Sequence, residues 1–255
     1  MQNIPVIQVR NLTIGYGDEI VLNDISFDVH MGEIFIILGG SGCGKSTLLK
    51  HMIGLQQPFR GKILIDGKDL VTTEGRERLE ILRKFGVLFQ SSALLGSMTL
   101  GENVALPLQE YTQLPKETIS FLIRAKLGMV GLSGYEGYMP TELSGGMKKR
   151  GGIARALALD PEILFFDEPS AGLDPITSVN LDDLIMQLNA SLGTTMVVVT
   201  HELPSIFAIA HRVIMLDKKT RKIIAEGRPA DLRDMSTDPF VRDFFNRRIK
   251  EGVSG

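Results

Sequence analysis

GGSGCGKSTLLKHMIG, running from Gly39 to Gly54, places four glycines and a lysine within seven residues and then turns apolar. Gly39, Gly44, Lys45 and Ser46 satisfy the spacing G-x-x-x-x-G-K-[ST] of a phosphate-binding loop. Without Cβ atoms, glycines let successive main-chain N–H groups curl around an anion. The helix expected from Lys45 onward turns its positive end toward the same charge. The residues expected to cradle phosphate are Gly39, Gly40, Ser41, Gly42, Cys43, Gly44, Lys45, Ser46 and Thr47. Lys45 would reach the β- and γ-phosphates, and the Ser46 hydroxyl would hold Mg²⁺. A glycine-rich turn matches this pattern by accident in on the order of one chain in a hundred of this length. Here the motif also sits between a short apolar strand, EIFIILGG, and a helical pattern, the context that the motif demands. The ligand expected is a nucleotide.

Outward from the loop, the chain alternates strands and helices after an all-β opening. IQVRNLTIGY and IVLNDISFDVH alternate apolar with polar residues across GDE, which predicts an antiparallel hairpin. KILIDGKDL and FGVLFQ read as strands. From about Ser92 to Arg150 the spacing turns helical, through LGENVALPL, KETISFLIRAKLGMV and MKKRGGIARALAL. ILFFDEP, TMVVVTHE and HRVIMLD are three further strands, separated by the helical stretches DPITSVNLDDLIMQLNASL and ELPSIFAIA. Such alternation implies a mostly parallel α/β sheet with helices on both faces. The expected organisation is one domain over 1–255. It has a core of 1–91 and 151–227, an inserted helical subdomain at about 92–150 and a tail at 228–255.

Composition bounds the function. In 255 residues, 28 basic and 30 acidic side chains nearly cancel, so the chain lacks the basic bias of a nucleic-acid binder, and no nucleic-acid partner is expected. The single cysteine, Cys43, excludes an internal disulfide and fits a reducing compartment. No apolar run approaches the roughly 18 residues that a spanning helix needs. MQNIPVIQV reads as carrying no secretory signal.

ILFFDEP, Ile163 to Pro169, ends an apolar strand in two adjacent carboxylates. Asp167 can hold magnesium and Glu168 can polarise an attacking water. Taken alone, DEP could equally be a solvated turn; beside a phosphate loop it reads as catalytic. His201 follows another buried strand and could approach the γ-phosphate, although a lone histidine after a strand is more often structural.

With LSGGMKKRGGIARAL, Leu143 to Leu157, the chain resembles the ATP-binding subunits of ABC transporters over nearly its whole length. The resemblance implies a P-loop ABC ATPase fold, with an N-terminal antiparallel β subdomain and the inserted helical subdomain. Tyr16 stands where the family stacks an aromatic ring on adenine, and Gln90 in VLFQ stands at the family's Q-loop, a position that also contacts the metal. Ser144, Gly145 and Gly146 lie in the signature, SAGLD (Ser170 to Asp174) matches the loop that crosses to the partner subunit, and His201 matches the switch histidine. Each has a plain alternative: Tyr16 as a hairpin aromatic, Gln90 as a polar strand end, Ser144 as a helix cap. Seven matches in family order are not reached by independent coincidence. Many relatives carry glutamine where this chain has Met147; the phosphate-facing atoms are the Ser144 hydroxyl and the Gly145 and Gly146 amides, which methionine leaves untouched.

LSGGMKKR and FQSSALLGSMTLGENVALPL look most like the ATPases of Mce-type lipid transporters, including the Mla-type phospholipid system. The resemblance implies ATP and Mg²⁺ as cofactors. It implies a head-to-tail homodimer on the cytoplasmic face of a bacterial inner membrane, bound to integral permease subunits, with a small STAS-type accessory subunit and an MCE-domain lipid-binding protein as further partners. An ABC ATPase serving another transporter, and a soluble ABC ATPase of DNA repair or translation, are the competing readings. The second usually needs a long coiled-coil insertion or tandem ATP-binding halves, which this chain lacks. In DPFVRDFFNRRIK, Phe240, Val241, Phe244, Phe245 and Ile249 recur at near-helical spacing opposite Arg242, Arg247 and Arg248. That face could pack on its own domain, or dock on the second ATPase or an accessory subunit.

Overall fold

The computed structural model describes residues 5–246. They divide into two compact units, one built from the chain up to Val71 and from Val199 onward, the other from Thr72–Val198.

In the first unit, β1 (Pro5–Tyr16) and β2 (Glu19–His30) form the expected antiparallel hairpin, pairing from Pro5 with His30 to Tyr16 with Glu19. Val6, Ile7, Val9, Leu12 and Ile14 are buried, as their spacing requires. β4 (Arg60–Ile65) adds antiparallel to β1. KILIDGKDL is not one strand: the chain reverses at Asp66 (φ 48°) and Gly67 (φ 79°), and β5 (Lys68–Asp69) pairs back on β4. Two adjacent positive φ values are the two-residue hairpin turn that Asp-Gly favours. β3 (Ile34–Gly39) is buried at every position and runs parallel to β9 (Arg212–Asp217). β10 (Lys222–Gly227), a half-exposed strand with no expectation in the sequence, closes antiparallel on β9. α1 (Lys45–Met52) follows β3; α7 (Leu203–Ile209), α8 (Pro229–Met235) and α9 (Pro239–Phe245) complete the unit. α9 packs Val241 and Phe245 inward, and the Phe245 ring meets Phe207 edge-on at 5.9 Å. The tail, as far as it is described, therefore covers its own unit; Arg247, Arg248 and Ile249 lie outside the described residues.

In the second unit, β6 (Phe85–Leu88) runs parallel to β7 (Ile163–Asp167), and β8 (Thr195–Val199) lies beyond β7. Strand β6 stops at Leu88, so Phe89 and Gln90 belong to the loop that follows. α2 (Gly75–Leu82) is a mostly exposed helix that apolar periodicity did not reveal. The helical stretch holds α3 (Leu100–Tyr111), α4 (Lys116–Met129) and α5 (Gly145–Ala156), and α6 (Pro175–Leu192) follows β7. α3 begins in a complete capping box: Thr99 Oγ1 accepts from the Glu102 N–H, and the Glu102 carboxylate accepts from the Thr99 N–H. Among the described residues, no helix is long and apolar enough to cross a membrane.

Candidate functional site

The phosphate loop is fixed by the strand before it and the helix after it. β3 delivers the chain at Gly39, whose φ of 151° and surroundings demand glycine: a Cβ there would stand 2.5 Å from the Leu216 carbonyl oxygen and 2.6 Å from Cys43 Sγ. Gly44, at φ 103°, precedes α1 and would drive a Cβ to 2.6 Å from Val21 Cγ1. No side chain caps the start of α1, and the positive end of the helix lies at the loop. The Lys45 ammonium donates to the Gly39 (3.0 Å) and Gly40 (3.2 Å) carbonyls and so lies along the loop that it closes. Ser46 is half-buried in the first turn, and Thr47 is buried behind it. Tyr16, half-exposed, brings its hydroxyl to 3.0 Å from Thr47 Oγ1, which sets an aromatic ring beside the loop. Burial of Cys43 pushes its thiol pKa up, so it stays protonated and inert within the loop. His201, in the same unit, is exposed, with its Nε2 3.9 Å from a Glu202 carboxylate oxygen.

The acidic residues lie in the other unit. β7 is buried throughout and ends at Asp167. Glu168, buried, has a left-handed backbone (φ 48°), a conformation costing ~1 kcal/mol for a residue with a Cβ, held only where the surroundings enforce it. Gln90 and Asp167 line one cleft of about 520 Å³ with Phe89, Ser91, Ala171 and Gly172. Of the three residues expected to hold the metal, Gln90 and Asp167 share this open cleft, and Ser46 belongs to the first unit.

Ser144 caps α5, its hydroxyl accepting from the Met147 N–H at 3.3 Å. Met147 enters this cap through its backbone N–H. Gly146 packs so closely on the first turn of α6 that a Cβ would stand 2.5 Å from Thr177 Cγ2. Asp174 caps α6, accepting from the Ile176 and Thr177 amides at 3.1 and 3.0 Å, and the Thr177 hydrogen bonds hold its carboxyl below the usual range.

Residues 22–171, more than half of the chain, match the model of the ABC transporter family. The chain is an ATP-binding cassette of that family. The cassette is 43% identical over 243 residues to the intermembrane phospholipid transport system ATP-binding protein MlaF of Escherichia coli, covering 94% of this chain and 88% of that one. It is also 43% identical over 242 residues to a probable ribonucleotide transport ATP-binding protein, mkl, of Mycobacterium leprae, covering 95% and 69%. Among solved structures it resembles the dimeric post-hydrolysis state of the cassette MJ0796 bound to ADP and Pi (TM-score 0.78, 32% identity, 87% of this chain and 98% of that one). A second is cbiO1 of Clostridium perfringens, described as part of the ABC transporter complex cbiONQ (TM-score 0.82, 28% identity, 91% of each chain). The cassette accordingly has the mixed α/β ABC ATPase fold, and it is an ATPase.

Two residues of the cassette's site escaped the sequence reading. Lys149, in KKR, is buried, and its ammonium donates to the Gln90 carbonyl at 2.6 Å and the Glu168 carbonyl at 3.2 Å. Burial pulls its pKa down, and the Glu168 and Asp167 charges oppose that pull. Arg155 donates to the carbonyls of Ser92 (3.0 Å) and Ala93 (2.6 Å), two residues that the chain holds at positive φ just past Gln90. A signal for Lys149 was present: it lies four residues before the buried Ile153 and seven before the buried Ala156, on the inward stripe of α5.

Proposed function

We propose that the cassette powers a membrane permease that moves phospholipid, working as a head-to-tail homodimer on the cytoplasmic face of a bacterial inner membrane. The observation that carries this reading is the match to MlaF at 43% identity over 88% of that protein's length, which includes the phosphate loop and the LSGGMKKR region. In the proposed dimer, the Ser144–Gly146 helix start of one copy faces the nucleotide cradled by the loop of the other. The self-complementary pairing closes two equivalent sites. ATP joins the halves because its γ-phosphate is the charge that both bind, and hydrolysis removes that shared anion, so the pair loosens.

Each residue has a proposed role. Tyr16 stacks on adenine, and the Gly39–Thr47 loop with Lys45 holds the phosphates. The Ser46 hydroxyl, the Gln90 amide oxygen and the Asp167 carboxylate are the hard oxygen donors that magnesium takes, and the cleft shared by Gln90 and Asp167 fits that use. Magnesium, when bound, neutralises charge on the phosphate oxygens. Glu168 accepts the proton of the attacking water, His201 orients the γ-phosphate, and Asp174 belongs to the loop that meets the partner. The helical stretch 92–150 passes the nucleotide state from Gln90 to the permease. A STAS-type accessory subunit and an MCE-domain lipid-binding protein are the further partners that this assignment entails.

Solubilising membranes in detergent, capturing the full-length cassette and identifying what accompanies it by mass spectrometry tests the assignment. Integral permease subunits with bound phospholipid are expected. A permease carrying a nucleotide or another polar solute would move the cassette to a different transporter, and the absence of any membrane protein would remove the transport role.

A further inference from the structure

α5 does more than present the Ser144–Gly146 start. It reaches the 90–93 loop at two places: Lys149 Nζ donates to the Gln90 carbonyl, and Arg155 donates to the Ser92 and Ala93 carbonyls. Six residues separate the two, about 9 Å along the helix axis. Between them, Gly152 brings the helix so close that a Cβ would stand 3.1 Å from the Ser92 carbonyl oxygen. Ser92 and Ala93 are both held at positive φ (64° and 48°). From the same atom that reaches Gln90, Lys149 also donates to the carbonyl of Glu168, itself at positive φ, where the Ala171 N–H is the second donor at 3.1 Å.

The Lys149 ammonium offers three donors, and two of them serve carbonyls on separate segments. One buried atom of α5 therefore fixes the backbone on either side of the 520 Å³ cleft that Gln90 and Asp167 line. The strained backbone of Glu168 gives that tether consequence. A left-handed glutamate relaxes when a donor holding its carbonyl is withdrawn, and the carboxylate turns with it.

We infer that Lys149 is a positioning residue for hydrolysis: it ties the α5 helix to the backbones of Gln90 and Glu168, so that the aim of the Glu168 carboxylate depends on where α5 sits. The inference rests on Glu168 being the general base. It places Lys149 in the turnover step and leaves ATP binding to other residues.

The test is a double-mutant cycle on the full-length cassette purified with its membrane subunits, comparing wild type, Lys149→Met, Glu168→Gln and the double variant, with Lys149→Arg alongside. Lys149→Met is expected to lower kcat by roughly 10- to 100-fold, since small misplacements of a catalytic group cost this much, with KM for ATP within about threefold of wild type. In the Glu168→Gln background the same change should cost less than about twofold, because the group that it positions is already disabled. Lys149→Arg, which keeps charge and donors, should recover most of the loss. Losses that multiply, a raised KM at unchanged kcat, or an arginine variant as slow as the methionine one would each overturn the inference. If Lys149→Met fails to fold, Lys149→Gln, which is uncharged and shorter but keeps a donor nitrogen, takes its place in the cycle. Near-wild-type turnover by Glu168→Gln alone would refute the base assignment, a result distinct from multiplied losses.

Discussion

The Tyr16 hydroxyl lies 3.0 Å from Thr47 Oγ1, joining the end of the first strand to the last residue of the phosphate loop. An exposed aromatic ring is thereby anchored at its polar tip, with its face available to a base. Stacking on a nucleobase contributes about 1–3 kcal/mol. Tyr16→Ala should therefore weaken ATP binding by about tenfold, and Tyr16→Phe, which keeps the face and loses the anchor, by no more than about threefold. Titration with a fluorescent ATP analogue reads both; equal losses in the two variants would show that the hydroxyl, and not the ring face, matters.

Gly44 and Gly40 are neighbours in one loop but stand under different constraints. A Cβ at Gly44 meets Val21 at 2.6 Å in a backbone of φ 103°, whereas a Cβ at Gly40 meets nothing within 4 Å. Gly44→Ala should lower stability by ~1–3 kcal/mol and abolish nucleotide binding, while Gly40→Ala melts as the wild type does. Thermal unfolding with and without ATP separates the two.

Lys45→Ala removes the cation of the phosphate loop. ATP turnover should fall by ~10²-fold or more, since a preorganised charge on the transferred phosphoryl group contributes at least this much. Unchanged phosphate release in that variant would contradict the phosphate-loop assignment.

Asn103 is fully buried, and it organises the turn before α3. Its Oδ1 accepts from the Leu95 N–H at 2.7 Å, and its Nδ2 points among the carbonyls of Leu95, Met98 and Thr99 at 2.9–3.1 Å. Asn103→Ala strands these groups and should cost about 2–3 kcal/mol, read by chemical denaturation.

His51 supplies a pH dependence. Its ring is buried in α1, with Nδ1 2.8 Å from the Thr47 carbonyl oxygen, and burial pushes its pKa below the ordinary 6.5. The unfolded chain then takes up a proton near pH 6.5 that the folded chain resists. Stability is complete above that pH and falls as pH drops through it. The midpoint of thermal unfolding should be lower at about pH 5.5 than at about pH 8, and His51→Gln should shrink the difference.

What the sequence made legible, and what it did not, follows from the kind of signal. The loop from Gly39 to Ser46 was readable because Gly39 and Gly44 are forced by backbone geometry and close approach, and they precede the lysine and serine of the motif. β3, β7 and β8 were readable because strands buried on both faces become unbroken apolar runs. α2 buries Ile81 and little else, and β10 is half-exposed, so neither prints a strong period. The extension of KILIDGKDL through Asp66-Gly67 overlooked turn chemistry that the dipeptide carries. Lys149 was passed over because a charge in a KKR run reads as solvated, and its burial depends on carbonyls 59 and 19 residues away.

In the proposed cycle, two copies of this chain close around ATP and open on hydrolysis, with Glu168 taking the proton of the attacking water. The most direct measurement is the mass of full-length Glu168→Gln by light scattering, with and without MgATP, alongside its rate of phosphate release. A doubling of mass that requires ATP is expected, together with turnover reduced ~10²-fold or more. A protein that keeps one mass in both conditions, or that releases phosphate at the wild-type rate, would contradict the cycle.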